Sequence, residues 1–411
     1  MTTFNTPICI VGAGPAGSTA SLFLSKYGIP HILTDRQSFP RDKVCGEQFS
    51  GRISHVLREL NPEWEAEMIV KGILYKSRDV YFSLQPENKM ARLHFNENSS
   101  PTLKAKRTLF DNFLYIKAKE SSFVKCLENT YLTHFEKVTD GVLIYDKTKS
   151  VHIKAQLVLF CTGEKIGFLR QFLGKQYSDK GDEFIFLRRY YKPAQPNVSN
   201  GFSTEMYIVT KPLRHVMFIN PISDNLTMVE MGIFKPLAKK YNGRLDDLMD
   251  TSLNTIDNLR GRFTLYNMVE KTKGSSILLG KNPRLMSSDK MLLVGSAIGS
   301  IHPITGYGVG HAMRSGQLAA FWAAESVKAN DYSATFLKQY DKNILKRMKF
   351  DFRFGAVVHF VYQNLRFVLP FLRLFLVSKW FISAVTHPFF YRNAINPFFY
   401  VKQMFKQEKT T

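Results

Sequence analysis

The sequence predicts an α/β fold. A Rossmann-type dinucleotide-binding domain with a parallel sheet is joined by an antiparallel-sheet substrate domain and a helical C-terminal region. Three observations predict it. An apolar run near the N-terminus feeds straight into a glycine turn, Thr6–Gly17 (TPICIVGAGPAG). A block of strand-forming segments with few glycines occupies residues 176–285, and a second glycine-rich strand-to-helix segment follows at Lys290–Gly316. The implied organisation is a dinucleotide domain over 1–175 with an excursion at about 75–104, a substrate domain over 176–285, the remainder of the first domain over 286–330, and a basic, apolar helical region over 331–411.

The first unit carries the strongest local signal. Pro7–Val11 reads as a buried parallel strand, Ser18–Tyr27 has apolar residues at helical spacing, and Gly28 stops that helix. A second strand, His31–Thr34, ends in Asp35 and Arg36. Between them, Gly12 allows the tight turn, Gly14 lets a pyrophosphate approach the backbone, Pro15 and Ala16 open the helix, and Gly17 lets helix and strand pack closely. Free N–H groups at the helix start favour a diphosphate, and Asp35 is placed to accept a ribose hydroxyl. A turn that bound nothing would not need an acid at the end of the second strand.

Composition narrows the class further. With 45% hydrophobic and 22% charged residues the chain is globular, and its 34 phenylalanines and 18 tyrosines suit either aromatic-lined cavities or plain core packing. The formal charge of +22 points to an anionic partner or to none. No nucleic-acid-binding module is present, which leaves an anionic membrane surface or acidic ligands. Cys9, Cys45, Cys126 and Cys161 form no C-x-x-C pair, so neither a metal site nor a disulfide framework is indicated, and a reducing, cytoplasmic setting is expected. The first strand begins too early for an export signal. No oligomeric state is implied.

After Arg36 comes Ser38–Gly51, SFPRDKVCGEQFSG. Arg41 and Lys43 place two cations in a loop leaving the dinucleotide fold, suited to a diphosphate or to a reduced, anionic cofactor ring. Cys45 before Gly46 reads as a small residue allowing close approach of a flat ring, as a redox thiol, or as an inert packed cysteine. The combination GAGPAG, Asp-Arg, then F-P-R-x-K-x-C-G resembles the geranylgeranyl-reductase-like branch of the FAD-dependent oxidoreductases. That superfamily also contains p-hydroxybenzoate-type hydroxylases and flavin-dependent halogenases. The resemblance covers about residues 5–330 and implies FAD as cofactor. It places Arg41, Lys43, Cys45 and Gly46 beside the flavin, with Cys45 facing the isoalloxazine ring as the one candidate catalytic residue.

Further along, Val80–His94 reads as a strand pair. Arg107, Phe110, Asp111 and Leu114 resemble the superfamily's R-x-x-F-D-x-x-L element, in which the arginine contacts FAD. An arginine fork can hold phosphate or carbonyl oxygens, while a solvated arginine near a helix start is the plain alternative. Thr108 is expected to cap that helix, with Leu109, Phe113 and Ile116 as its apolar face. Thr139-Asp140-Gly141 reads as a hairpin turn, and by resemblance Val138 brings its backbone near the adenine. The strand Val151–Phe160 ends in Cys161-Thr162-Gly163, where hydroxylases of the superfamily carry Asp-Gly; Arg170 survives a few residues on.

In the substrate block, Phe184–Tyr191, Ser203–Val209, His215–Asn220 and Leu226–Phe234 read as strands. Phe186, Tyr207, Met217 and Phe218 suit a greasy substrate or core packing equally. The Y-x-W-x-F-P element of the reductases is reduced to Val216–Pro221 (VMFINP), and the halogenase W-x-W-x-I-P signature is missing. Lys290–Gly316 then contains Gly295-Ser296 and Pro303-x-x-Gly306-x-Gly308, similar to the family's G-D-A-A-G-x-x-x-P-x-x-G-x-G. The resemblance makes these cofactor contacts, with Ser296 in place of an aspartate that holds a ribityl hydroxyl. A serine keeps a hydrogen bond but loses its charge.

In the tail, Lys342, Lys346, Arg347, Lys349 and Arg353 precede an apolar stretch, 354–385, in which His359, Arg366 and Arg373 recur every seven residues. The arginines break every window of about 20 apolar residues that a spanning helix needs. An interfacial helix on an anionic membrane, or a helical cap on the substrate domain, is expected. The resemblance implies reduction of carbon–carbon double bonds in a lipid-like or isoprenoid substrate. The alternative is hydroxylation of an aromatic or polyketide-like compound, and a halogenase-like or non-catalytic flavin- or lipid-binding relative follows. The reductant would be NAD(P)H, bound transiently, or a protein electron donor.

Overall fold

The computed structural model describes residues 2–85, 89–94, 102–148, 150–163, 166–174, 183–192, 202–264, 267–278, 285–299, 301 and 307–363. Its larger lobe is built on an eight-stranded sheet. The strand Thr2–Val11 lies at the centre, parallel to His31–Thr34 on one side and to Val151–Phe160 on the other. Val124–Leu127 and Met291–Leu293 extend the parallel set outward. Ile8, Cys9 and Ile10 are fully buried, as a strand covered on both faces requires. The expected hairpin forms from Leu132–Val138 and Gly141–Asp146, which pairs antiparallel with the near end of Val151–Phe160.

The helix Pro15–Lys26 packs between the helices Arg107–Lys119 and Val309–Ala329. Its approach to the last of these depends on absent side chains. A Cβ on Gly316 would lie 2.3 Å from the Ala16 carbonyl oxygen, and one on Gly295 would lie 2.8 Å from the Ala16 Cβ. The helix Ala334–Gln363 comes next, and Leu337, Tyr340, Ile344 and Met348 are buried in the core of this lobe. The first half of that helix therefore belongs to the parallel-sheet lobe, tied there by the Tyr340 hydroxyl donating to the Leu293 carbonyl at 2.9 Å. Of the apolar stretch 354–385, residues 354–363 continue this helix, and the rest of the interfacial-helix expectation lies outside the described residues. Among the described residues no helix is long and apolar enough to cross a membrane.

The smaller lobe is a seven-stranded sheet in the order Met268–Leu278, Glu183–Tyr191, Leu226–Phe234, His215–Ser223, Thr204–Val209, Asp79–Gln85, Lys89–His94. All pairs are antiparallel except Thr204–Val209 with Asp79–Gln85. The excursion near 75–104 thus supplies two strands of the substrate sheet. Strand alternation gives this sheet two characters. Tyr207, Met217, Val229, Met231 and Ile233 point to the side covered by the helix Leu245–Thr255 and form a core with Leu248, Met249 and Leu253. Tyr207 and Met217 are accordingly core residues and not part of a substrate roof. Phe186 and Phe218 lie on the opposite face and are half-buried.

A third, three-stranded sheet of Gln48–Phe49, Thr102–Lys104 and Tyr75–Ser77 connects the lobes. The Gln48 amide donates to the Thr204 hydroxyl at 2.8 Å across that connection.

The Gly316→Ala variant is expected to lose about 1–3 kcal/mol of stability in urea denaturation, because the added methyl meets backbone. Gly167→Ala, with nothing within 4 Å of its Cβ position and an exposed helical site, should be neutral or stabilising by less than about 1 kcal/mol.

Candidate active site

The first glycine turn closes on the carboxyl end of the central strands. Gly12 has a φ of 104°, and a Cβ there would stand 2.6 Å from the Cys161 carbonyl oxygen. A Cβ on Gly17 would stand only 1.8 Å from the Gly12 carbonyl oxygen. The helix starting at Pro15 has no side-chain cap at Gly14, so its first N–H groups are available to an anion. The Ala13 N–H donates to Asp35 Oδ2 at 3.0 Å and the Gln37 N–H to Oδ1 at 3.1 Å. Asp35 thereby holds the turn while Oδ1 keeps a second lone pair for a hydroxyl.

From Asp35 a chain of alternating charges runs inward. Arg41 pairs with Asp35 at 3.4 Å and with Asp111 at 3.6 Å. Its guanidinium also lies 4.8 Å from the centre of the Phe39 ring and 3.3 Å from where a Gly14 Cβ would be. Asp111 receives two bonds from Arg107, Nε at 2.7 Å and Nη2 at 2.6 Å, in a fully buried pair. Burial works against the Arg107 charge, but Asp111 and Cys45, both facing the guanidinium, outweigh it and hold the arginine protonated. Arg107 is thus engaged within the protein and is not a solvated residue.

The helix it opens differs from expectation in two ways. Lys106 is the N-cap, and the Arg107 N–H is satisfied by Glu47 Oε1 at 3.0 Å, so Thr108 is not the cap. Its buried face is Phe110, Phe113 and Leu114, whereas Leu109 and Ile116 are exposed.

Lys43 joins the same region, its ammonium 3.8 Å from the Cβ position of Gly163. Ser296 lies in a short 3₁₀ segment, Gly295–Ile298, and the Cβ position of Gly308 lies 3.9 Å from the Ser296 hydroxyl. Pro303 and Gly306 lie outside the described residues. The structure therefore brings together Gly12, Gly14, Pro15, Ala16, Gly17, Asp35, Arg41, Lys43, Cys45, Gly46, Arg107, Gly295, Ser296 and Gly308. Two expected residues stand apart. Arg36 points outward over the Tyr131 ring, 6.0 Å from its centre. Val138 ends a strand on the far side of Val151–Phe160 from Asp35, with Lys290 reaching its carbonyl at 3.4 Å. The outer parallel neighbour of the strand ending at Asp35 is Val124–Leu127, and the Asp35 N–H donates to the Leu127 carbonyl.

This cradle fits a dinucleotide cofactor on its own terms. It combines glycines whose Cβ atoms would fill it, an uncapped helix start, and buried polar atoms with no hydrogen-bond partner among the described residues, namely Arg41 Nε and the Thr162 hydroxyl. Residues 5–349 match the family described as FAD binding domain. The chain belongs to that FAD-binding family. It is an FAD-dependent oxidoreductase.

A relative from Methanosphaera stadtmanae named digeranylgeranylglycerophospholipid reductase 2 is 26% identical over 362 residues, covering 84% of this chain and 85% of its own. One from Pseudoalteromonas luteoviolacea, named 1H-pyrrole-2-carbonyl-(peptidyl-carrier protein) brominase, is 25% identical over 340 residues and 81% of each chain. The solved structure of a geranylgeranyl bacteriochlorophyll reductase-like protein from Thermoplasma acidophilum shares the fold, with a TM-score of 0.74 at 20% identity over 87% of each chain.

A second polar layer, between the Cys45 loop and the substrate sheet, was not foreseen from the sequence. Arg188, 1% exposed, pairs with Asp42 at 2.9 Å, Glu270 at 3.5 Å and Glu47 at 3.6 Å, and lies over the Tyr190 ring. Glu230 comes from the next strand, in register with Arg188. Its sequence signal is one acid in an otherwise apolar strand, LTMVEMGIF, facing an arginine in IFLRRYY. Burial pushes the Glu230 carboxyl up to about 8, with Glu47 adding to the rise and Arg188 opposing it. Burial likewise lifts Glu47 to about 7, against the Arg107 N–H, Tyr190 and Arg188. His215, by contrast, is held between the Leu213 carbonyl and Ser252 behind the sheet, and burial lowers its pKa.

The two raised carboxyls carry a stability consequence. In the folded protein they hold protons that the unfolded chain has lost above about pH 4.5, so their contribution is full below that pH and disappears as pH rises through about 8. Stability measured by denaturant titration should fall between pH 5 and pH 8, and the Glu230→Gln variant should flatten that fall by on the order of 3 kcal/mol.

Proposed function

We propose that the protein reduces carbon–carbon double bonds of a lipid-like or isoprenoid substrate lying between the Cys45 loop and the seven-stranded sheet. The observation that carries this reading is the face the sheet turns toward that loop. Its half-buried Phe186 and Phe218 and its buried Phe184 and Met228 offer an apolar wall on the face turned toward the Cys45 loop, beside the Arg188–Glu230 polar layer. The name of the Methanosphaera stadtmanae relative supports the same substrate class.

The residues divide the work. The Gly12–Gly17 turn and the adjoining helix start would hold the diphosphate, with Arg41 beside them. Asp35 and Ser296 would receive hydroxyls of the ribose and ribityl parts. When bound, FAD supplies two-electron hydride chemistry. Arg107, paired with Asp111, meets the Cys45 loop through its N–H to Glu47 and its guanidinium against Cys45. Electrons would come from NAD(P)H, bound transiently, or from a protein donor. The charge of +22 and the apolar, basic tail suit a peripheral approach to an anionic membrane, where such a substrate resides.

The purified enzyme, reduced in the absence of oxygen, should be reoxidised by a polyunsaturated isoprenoid lipid in detergent and not by its saturated counterpart, as followed by flavin absorbance. Reoxidation by oxygen alone, with a hydroxylated aromatic product, would replace this reading with the monooxygenase one.

A further inference from the structure

The layer between the Cys45 loop and the substrate sheet contains a carboxyl that neither lobe needs for its core. On the strand Leu226–Phe234, Val229, Met231 and Ile233 fill the core behind the sheet, so Glu230 faces the other way. Its neighbours across the sheet on that face are Arg188 and Phe218. Its carboxyl presses against the loop, with Oε2 only 2.9 Å from where a Gly46 Cβ would be. Gly46 is therefore the residue that makes room for Glu230 next to Cys45.

Glu230 is 5% exposed and makes no hydrogen bond or ion pair among the described residues. The charged groups acting on it are Glu47, from the loop, and Arg188, from the adjoining strand. Arg188 is already shared with Asp42 and Glu270, and Lys273 closes the outer side by pairing with both of those acids. The Lys106 ammonium faces the Tyr190 ring at 5.2 Å. One buried guanidinium thus serves several acids, and two buried carboxyls that act on one another beside it are relieved when a proton stays on the pair. Glu47 is committed to the Arg107 N–H through Oε1, whereas Glu230 is uncommitted and shares its face with Phe186 and Phe218. Cys45, the other titratable group at this point of the loop, is engaged by Arg107.

We propose that Glu230 is the general acid that protonates the substrate carbon in the reduction, with Glu47 sharing and resupplying its proton. This rests on the double-bond-reductase reading above. Saturating a carbon–carbon double bond adds a hydride to one carbon and a proton to the other. The hydride and its two electrons are the cofactor's contribution, and the proton is the chain's. As the π bond breaks, its electron pair takes the proton from the Glu230 O–H and leaves a carboxylate. Glu230 regains a proton from Glu47, and Glu47 regains one from water, so each turnover draws one proton from solvent.

The test uses the flavin-loaded holoenzyme and its Glu230→Gln and Glu230→Asp variants. Without any turnover, infrared spectra near neutral pH should show a protonated-carboxyl C=O band in the wild type that is missing in Glu230→Gln. In anaerobic reoxidation by the polyunsaturated isoprenoid lipid, Glu230→Gln should slow the reaction by about 100-fold or more, with lipid affinity changed by less than about threefold, and Glu230→Asp should recover part of the rate. Reoxidation of Glu230→Gln at the wild-type rate, a weakened lipid affinity with an unchanged rate, or an unchanged carboxyl band would each overturn the proposal and leave the reductase reading standing. Failure of the wild type itself to be reoxidised by the lipid overturns the reductase reading, and the proposal with it. Should Glu230→Gln not accumulate as folded protein, Glu47→Gln takes its place. It should shift the alkaline limb of the pH–rate profile, and an unmoved limb counts against the shared proton.

Discussion

The buried charge chain from Asp35 through Arg41 and Asp111 to Arg107 is the constraint on which the site depends. It joins three parts of the chain that are remote in sequence: the end of the second parallel strand, the loop after it, and the start of the helix Arg107–Lys119. Removing one member would leave its partner charged and unpaired inside the protein, which costs more than the pair gains. Geometry is thereby enforced by electrostatics on the cofactor side of the Cys45 loop, while Arg188 ties the loop to the substrate sheet through Asp42 and the Lys43 carbonyl.

A second constraint is steric. Gly17 against the Gly12 carbonyl and Gly316 against the Ala16 carbonyl let two helices and a strand end meet at backbone distance. The cofactor cradle and the fold of the large lobe are therefore the same construction, since the contacts that shape the cradle also pack the helices.

What was legible in the sequence follows from how local each signal is. The turn Thr6–Gly17, Asp35 and Arg107 could be read because each requirement leaves its mark within one short window. Thr108 was misread as a cap because the true partner of the Arg107 N–H is Glu47, from a different segment. Leu109 and Ile116 were misread because the helix carries apolar residues on adjacent faces, and only packing decides which face is covered. Strand alternation gave two faces for Tyr207 and Phe218 but could not say which one the helix Leu245–Thr255 would cover. The Glu47–Arg188–Glu230 layer was illegible because sheet register and loop placement, and no shared window, bring its members together.

The seven-stranded sheet takes Asp79–Gln85 and Lys89–His94 from one stretch of chain and its other strands from a much later one, joined by the parallel pairing of Asp79–Gln85 with Thr204–Val209. Between those stretches the chain adds Val124–Leu127 and Val151–Phe160 to the large lobe's parallel sheet. The small lobe therefore cannot finish its sheet independently of the large one, and its assembly relies on pairings between sequence-distant segments, which form slowly. The two lobes are topologically interlaced, so they gain and lose structure together, and neither half is a separable module that could be cut out or exchanged at a single linker.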